Sequence, residues 1–198
     1  IFKTTNKGAN FIAYQTYSGA SWSDVSFPNE NTGYTIYKYS VIDKTTDGGN
    51  SWVNISPWGH GEYFTICFIN GSTGFYGGSK ILKTTNGGVL WDTVVTSLNE
   101  NSFCNKIRYI NGKLYAIGYL NFKGYIMTST DIGISWQIDS TTEYNGGFYD
   151  ISIPEPNSIY LSTHFNYVFK FTNNSTWSKY NIYTQGGYLS SIDFVNKD

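Results

Sequence analysis

The chain has 198 residues, 40% of them hydrophobic and 19% aromatic, which is ample material for a buried core and too apolar for intrinsic disorder. A formal charge of −1 with no run of lysine or arginine excludes an electrostatic footprint for nucleic acid or an anionic membrane. No stretch is long and apolar enough to insert as a transmembrane helix.

The first residues already lie inside a motif, a box, that recurs along the chain. Its copies are Lys3-Thr4-Thr5-Asn6-Lys7-Gly8 closed by Phe11, Lys44-Thr45-Thr46-Asp47-Gly48-Gly49 by Trp52, Lys83-Thr84-Thr85-Asn86-Gly87-Gly88 by Trp91, Thr128-Ser129-Thr130-Asp131-Ile132-Gly133 by Trp136, and a degenerate Lys170-Phe171-Thr172-Asn173 by Trp177. The closing aromatics lie 41, 39, 45 and 41 residues apart. A period of this size indicates one supersecondary unit repeated along the chain.

Between boxes the order of elements is constant. Residues 25–29, 66–70, 107–111, 151–155 and 192–196 alternate apolar and variable side chains before a turn, the pattern of a half-buried strand. Short aromatic strands follow at 32–37, 73–77, 113–118 and 158–162. The box then supplies a third strand and its turn, and the aromatic after it opens a fourth, as at 51–55. Four short strands in about 40 residues make the blade of a β-propeller, whereas helical repeats need a 3.6-residue period that is missing. The expected fold is all-β, a propeller of four-stranded antiparallel blades, with repeats at approximately 1–22, 23–63, 64–104, 105–147 and 148–188 and the start of another at 189–198. Since the chain begins at Ile1 in mid-repeat and Met127 is its sole methionine, these repeats are expected to be an arc of a larger propeller.

The boxes have a structural explanation. The Asx side chain hydrogen-bonds nearby backbone, the glycine admits the left-handed conformation, and the hydroxyl ties strand to turn. Asn6, Asp47, Asn86, Asp131 and Asn173 are therefore read as staples, with Trp52, Trp91, Trp136 and Trp177 burying a face between sheets. One Asx per turn offers too few oxygens for calcium. Two histidines cannot form a three-histidine zinc site, and the Gly-Gly pairs sit in turns rather than between strand and helix. No metal and no cofactor is expected. Cys67 and Cys104 are too few for a disulfide framework and are read as a free pair, a bridge being left open.

The string at Thr45 to Trp52 resembles the Asp-box, or BNR, repeat, Ser/Thr-x-Asp-x-Gly-x-x-x-Trp. Residues Phe68 to Gly78 together with Ile81 to Gly88 are similar to the propellers of photosystem II stability/assembly factors and their secreted bacterial relatives, which share a sialidase-like fold with sortilin-type receptors and some xyloglucanases. The resemblance implies a secreted or cell-envelope protein and admits both binding modules and hydrolases. Sialidases grip a carboxylate with three arginines, whereas Arg108 is the single arginine of this chain.

Two regions could carry function. Alternation along the first strand of each repeat sends Asp24, Ser26, Thr65, Cys67, Lys106, Arg108, Asp150, Ser152, Ser191 and Asp193 toward the central channel. Asp24 and Asp150 are the candidate carboxyls of a hydrolase, although polar channel linings that only hold water are commoner. The loops entering each repeat, on the face opposite the boxes, carry Trp22, Trp58, His60, Glu62, Tyr63, Tyr144, Phe148 and Tyr188 as candidate binding residues. The expected function is a non-catalytic module that binds or displays a protein or glycan. The alternative is a fragment of a carbohydrate-active, xyloglucanase-like hydrolase.

Overall fold

The computed structural model describes residues 1–13, 22–37, 41–56, 62–95, 98, 101–163, 165–172, 176–182 and 189–194, and only the backbone of Trp22 and Tyr144. A two-stranded sheet, β1 (Phe2–Lys3) and β2 (Ile12–Ala13), precedes four antiparallel four-stranded sheets. Each sheet is one blade. The first holds β3 (Trp22–Ser26), β4 (Gly33–Tyr37), β5 (Val41–Thr45) and β6 (Val53–Asn54), and the second β7 (Tyr63–Phe68), β8 (Gly74–Gly78), β9 (Ile81–Thr84) and β10 (Asp92–Val95). The third holds β11 (Ser102–Ile110), β12 (Lys113–Leu120), β13 (Lys123–Ser129) and β14 (Gln137–Asn145). The fourth holds β15 (Phe148–Glu155), β16 (Ser158–Thr163), β17 (Tyr167–Thr172) and β18 (Thr176–Asn181). Strands pair in sequence order, and the first strands of successive blades pack against one another.

The cores lie between blades, because alternation gives each sheet two apolar faces. Tyr34, Ile36 and Ile42 of the first blade meet Ile66, Phe68 and Tyr76 of the second, with the Tyr34 and Phe68 rings stacked at 3.4 Å. Phe75 and Ile81 meet Cys104, Leu114, Ala116, Tyr125 and Met127 across the next interface, and Ile117 and Ile126 meet Phe148, Leu161 and Phe169 across the last. Each fully buried side chain of this size contributes about 1.5–3 kcal/mol. Trp91, Trp136 and Trp177 pack onto these three cores, Trp136 edge-on against Phe75 of the preceding blade. Cys67 and Cys104 are free and buried, and burial pushes their thiols up to about 11 and about 12, so both stay protonated and unreactive at neutral pH.

The box turns close as the sequence suggests. In the second copy the Thr45 hydroxyl donates to Asp47 Oδ1 at 2.8 Å and accepts the Gly49 N–H, while Asp47 accepts the N–H groups of Asn50 and Ser51 at 2.9 Å. Asn6, Asn86 and Asp131 make corresponding bonds. Asp occurs in the two described boxes that carry a serine four residues later. Ser51 and Ser135 each donate a hydroxyl to the second carboxylate oxygen at 2.6 Å, whereas the Asn copies have Asn10 and Leu90 in that place. The boxes also latch blades together through their leading lysine: Lys44 Nζ donates to the Gly87 carbonyl and Lys83 Nζ to the Ile132 carbonyl, each in the next blade's box. The fifth box departs from the pattern. Phe171 is buried, pairs directly across the hairpin with Trp177, and the indole N–H reaches Ser140 of the preceding blade instead of its own turn. Asn173 lies outside the described residues.

A second device recurs in every described blade. The register between first and second strands slips by one residue between Trp22 and Asp24, between Tyr63 and Thr65, between Cys104 and Lys106, and between Phe148 and Ile151. Such a β-bulge leaves one residue unpaired and re-aims the side chains on either side. Glycine stands opposite the bulge in two blades, because a β-carbon on Gly78 or Gly118 would run into the main-chain carbonyl of Glu62 or Phe103.

Two outcomes are expected. Gly118→Ala destabilises the chain by about 1–3 kcal/mol, whereas Gly71→Ala, whose β-carbon meets only a side-chain amide at 4.0 Å, shifts the denaturation midpoint negligibly; urea titration separates the two. The Ser51 hydroxyl and the surrounding donors hold the Asp47 carboxyl well below its ordinary range, and Ser135 does the same for Asp131. A depressed folded-state pKa stabilises fully above the ordinary value near 3.9 and is lost as pH falls through the depressed one. Asp47→Asn therefore lowers the melting temperature at neutral pH, and its difference from the parent shrinks between about pH 4 and pH 2.

Candidate functional site

The bulges decide which side chains reach the axis. Immediately after them come Asp24, Thr65, Lys106 and Asp150, one per blade, and these converge. Asp24 Oδ2 accepts the Thr65 hydroxyl at 2.7 Å and the Ile66 N–H at 3.2 Å, and Oδ1 accepts Lys106 Nζ at 2.8 Å. Asp150 Oδ2 accepts the Ser191 hydroxyl at 2.6 Å and the Ile192 N–H at 3.2 Å. Arg108 lies between the two carboxylates, 3.9 Å from Asp24 and 3.5 Å from Asp150. Reaching from the third blade to both the first and the fourth is possible only if the inner strands surround a common axis.

These contacts continue along the axis as a ladder. Ser26 accepts the Phe68 N–H, Thr65 accepts the Ile107 N–H and Ser152 accepts the Phe194 N–H, each 42 residues on. The Asp24 and Asp150 side chains are only 5% and 8% exposed, while Arg108 is 35% exposed. A general acid or base needs a reacting group within hydrogen-bond reach. Both carboxylates are instead occupied by backbone amides, hydroxyls and cations. The axis is a cross-linked polar core.

Above it lies the mouth, at the end where inner strands begin and opposite the boxes. Phe64, the unpaired residue of the second blade's bulge, touches Phe103 with centroids 5.9 Å apart, and Phe103 touches Tyr119 at 5.4 Å. Tyr149 of the fourth blade's bulge and the exposed Glu62 both act electrostatically on the Tyr119 phenol, whose pKa is raised first by burial and then by these neighbours. Asn105, the bulged residue of the third blade, donates to the Phe148 carbonyl at 2.8 Å.

Several candidate binding residues fall elsewhere. Phe148 is fully buried, stacked on Trp177 at 5.4 Å, and offers no ring to a ligand. Tyr63 is half-buried and stacks on Tyr76 at 4.0 Å in the core between the first two blades. Both directly precede a bulge and so point inward, while the next residues, Phe64 and Tyr149, are carried toward the mouth. Trp22 and Tyr144 have backbone in β3 and β14, and Trp58, His60 and Tyr188 lie outside the described residues. Glu62 is exposed at the mouth. Phe64, Phe103, Tyr119 and Tyr149 form the part of the site that simple alternation does not find; the repeated triplets Asp24-Val25-Ser26, Thr65-Ile66-Cys67 and Asp150-Ile151-Ser152, read with Gly78 and Gly118, carry the signal.

No protein-family model and no curated protein sequence matches the chain. Among solved structures it is similar to YCF48 bound to D1 peptide, with 23% identity and a TM-score of 0.68 over 88% of this chain and 57% of that one. It is also similar to the GH74 enzyme of Niastella koreensis, at 17% identity and a TM-score of 0.68 over 90% of this chain and 33% of the enzyme. YCF48 from Cyanidioschyzon merolae matches at 15% identity and a TM-score of 0.57, over 90% of this chain and 77% of that one. The chain is a β-propeller. It spans little more than half of the first of these proteins and a third of the second, and the fold it shares with them occurs in a peptide-bound protein as well as in an enzyme.

For this propeller, the axial bonds predict a graded response. Asp24→Ala leaves Lys106, the Thr65 hydroxyl and the Ile66 amide without their acceptor, and costs about 3–5 kcal/mol, the range for breaking one side of a buried pair. Asp24→Asn keeps an acceptor oxygen and costs distinctly less. Chemical denaturation of the two variants beside the parent measures the order.

Proposed function

We propose that this propeller is a non-catalytic binding module that engages a protein segment or a glycan at its mouth. The observation that carries this reading is the full engagement of Asp24 and Asp150. The two candidate carboxylates, Asp24 and Asp150, are both occupied in joining blades, so neither is free to protonate a leaving group or activate water. Support for a protein partner comes from the similar fold of YCF48, whose structure holds D1 peptide. The mouth supplies half-exposed rings and a carboxylate on a rigid scaffold, as binding sites on loop faces do. A secreted or cell-envelope setting accompanies this reading, and the resemblance of the boxes to Asp-box repeats of secreted proteins supports it.

A second reading, a portion of a glycoside hydrolase, draws on the likeness to the Niastella koreensis GH74 enzyme. One experiment separates them. The propeller is used to capture partners from envelope proteins and from a glycan panel, and the same glycans are screened for hydrolysis with the parent, Asp24→Asn and Asp150→Asn. Capture without turnover is expected. Turnover that disappears in either variant would overturn the binding reading, as would the absence of any partner above background.

A further inference from the structure

We propose that the mouth seats a positively charged side chain, lysine or arginine, of an extended protein segment, held against the rings of Phe64, Phe103 and Tyr119 beside the carboxylate of Glu62. This rests on the reading of the chain as a binding propeller and adds the chemistry of what is bound. The three rings run in continuous contact from the second blade to the third, at 5.9 and 5.4 Å between centroids. Phe64 is 40% exposed, and Glu62 is exposed and makes no ion pair among the described residues.

The electrostatics of these groups select a cation. Aromatic faces carry negative charge density, and a cation within about 6 Å of a ring is attracted to it. Elsewhere the chain covers ring faces with its own lysines: Lys44 stands 5.3 Å over Tyr34, Lys83 5.8 Å over Phe75 and Lys170 5.1 Å over Tyr160. Among the described residues no lysine or arginine stands over Phe64, Phe103 or Tyr119. Below the mouth, Lys106 and Arg108 are already matched by Asp24 and Asp150. Among the described residues the uncompensated charge at this mouth is therefore the negative one of Glu62, next to three negative ring faces. A cationic side chain satisfies both features at once. A neutral sugar would use the rings and gain only a hydrogen bond from Glu62, and an acidic residue would be repelled.

The test titrates the propeller with two blocked pentapeptides, one with a central arginine between Gly-Ser and Ser-Gly and the other with norleucine in its place. The readout is the NMR shift of the Phe and Tyr ring signals. The arginine peptide is expected to move the signals of Phe64, Phe103 and Tyr119 and the norleucine peptide to leave them. Affinity should fall about tenfold in Glu62→Gln and in Phe64→Ser and weaken with added salt. Both positions are exposed, and backbone amide spectra of the variants verify the fold. An equal response to both peptides, no response to either, or unchanged affinity in both variants overturns the proposal, as does a neutral glucan oligosaccharide that moves the same rings more strongly than the arginine peptide. A partner captured equally by parent and both variants would remove this assignment and leave the binding module standing. Hydrolytic turnover lost in Asp24→Asn would remove the binding module itself.

Discussion

The structure depends on how the inner edge of each blade is satisfied. The first strand of a sheet pairs with its second strand on one side only, and a row of unpaired N–H groups on the other would be costly in a packed interior. Here those groups are answered by side chains of the preceding blade, as when Asp24 and Ser26 accept the amides of Ile66 and Phe68. The same relation recurs from Thr65 to Ile107 and from Asp150 to Ile192. The requirement fixes both the spacing of the repeats and the chemistry of the axis. Hydroxyls and carboxylates stand there because the next strand needs acceptors, and Lys106 and Arg108 stand there because buried carboxylates need counter-charge. A polar, acidic channel lining in such a fold is thus first a packing solution.

The bulge is what makes that solution geometrically possible. Without the extra residue, strict alternation would run unbroken through the inner strand and could not turn both Phe148 into the core and Asp150 toward the axis with one residue between them at the mouth. Its cost is a close main-chain approach, and glycine at 78 and 118 accommodates that approach where a β-carbon could not. Blade packing, axial bonding and the shape of the mouth are therefore consequences of one local irregularity repeated along the chain.

Much of this was legible in the sequence, and the part that was not has a definite reason. The box period and the alternating strands announced the blades, because both arise from local turn chemistry and pleat geometry. The polar axial residues were legible for the same reason, since Asp24, Lys106, Arg108 and Asp150 all follow the phase set by the apolar residues after them. The mouth was misread by one position: Tyr63 and Phe148 were expected outside, and they are inside, because a bulge shifts the phase without changing the composition. The bonds of the leading lysines to the next blade's box are tertiary contacts that no single repeat displays. In the fifth box, Phe171 stands where the other boxes have a hydroxyl, and it fills the last core instead.

The bulge also explains why no cross-strand lysine lies over Phe64 while other rings carry one. Lys44, Lys83 and Lys170 lie directly across from Tyr34, Phe75 and Tyr160 in strand register, so pairing itself places a cation on each ring. A bulged residue has no partner across the ladder. Phe64 therefore cannot acquire a covering side chain by the rule that supplies the others, and among the described residues its ring lies beside Phe103, Tyr119 and a Glu62 that makes no ion pair. The irregularity that lets the inner strands join at the axis thus also leaves Phe64 without a cross-strand partner at their start, beside the place proposed for a cationic side chain.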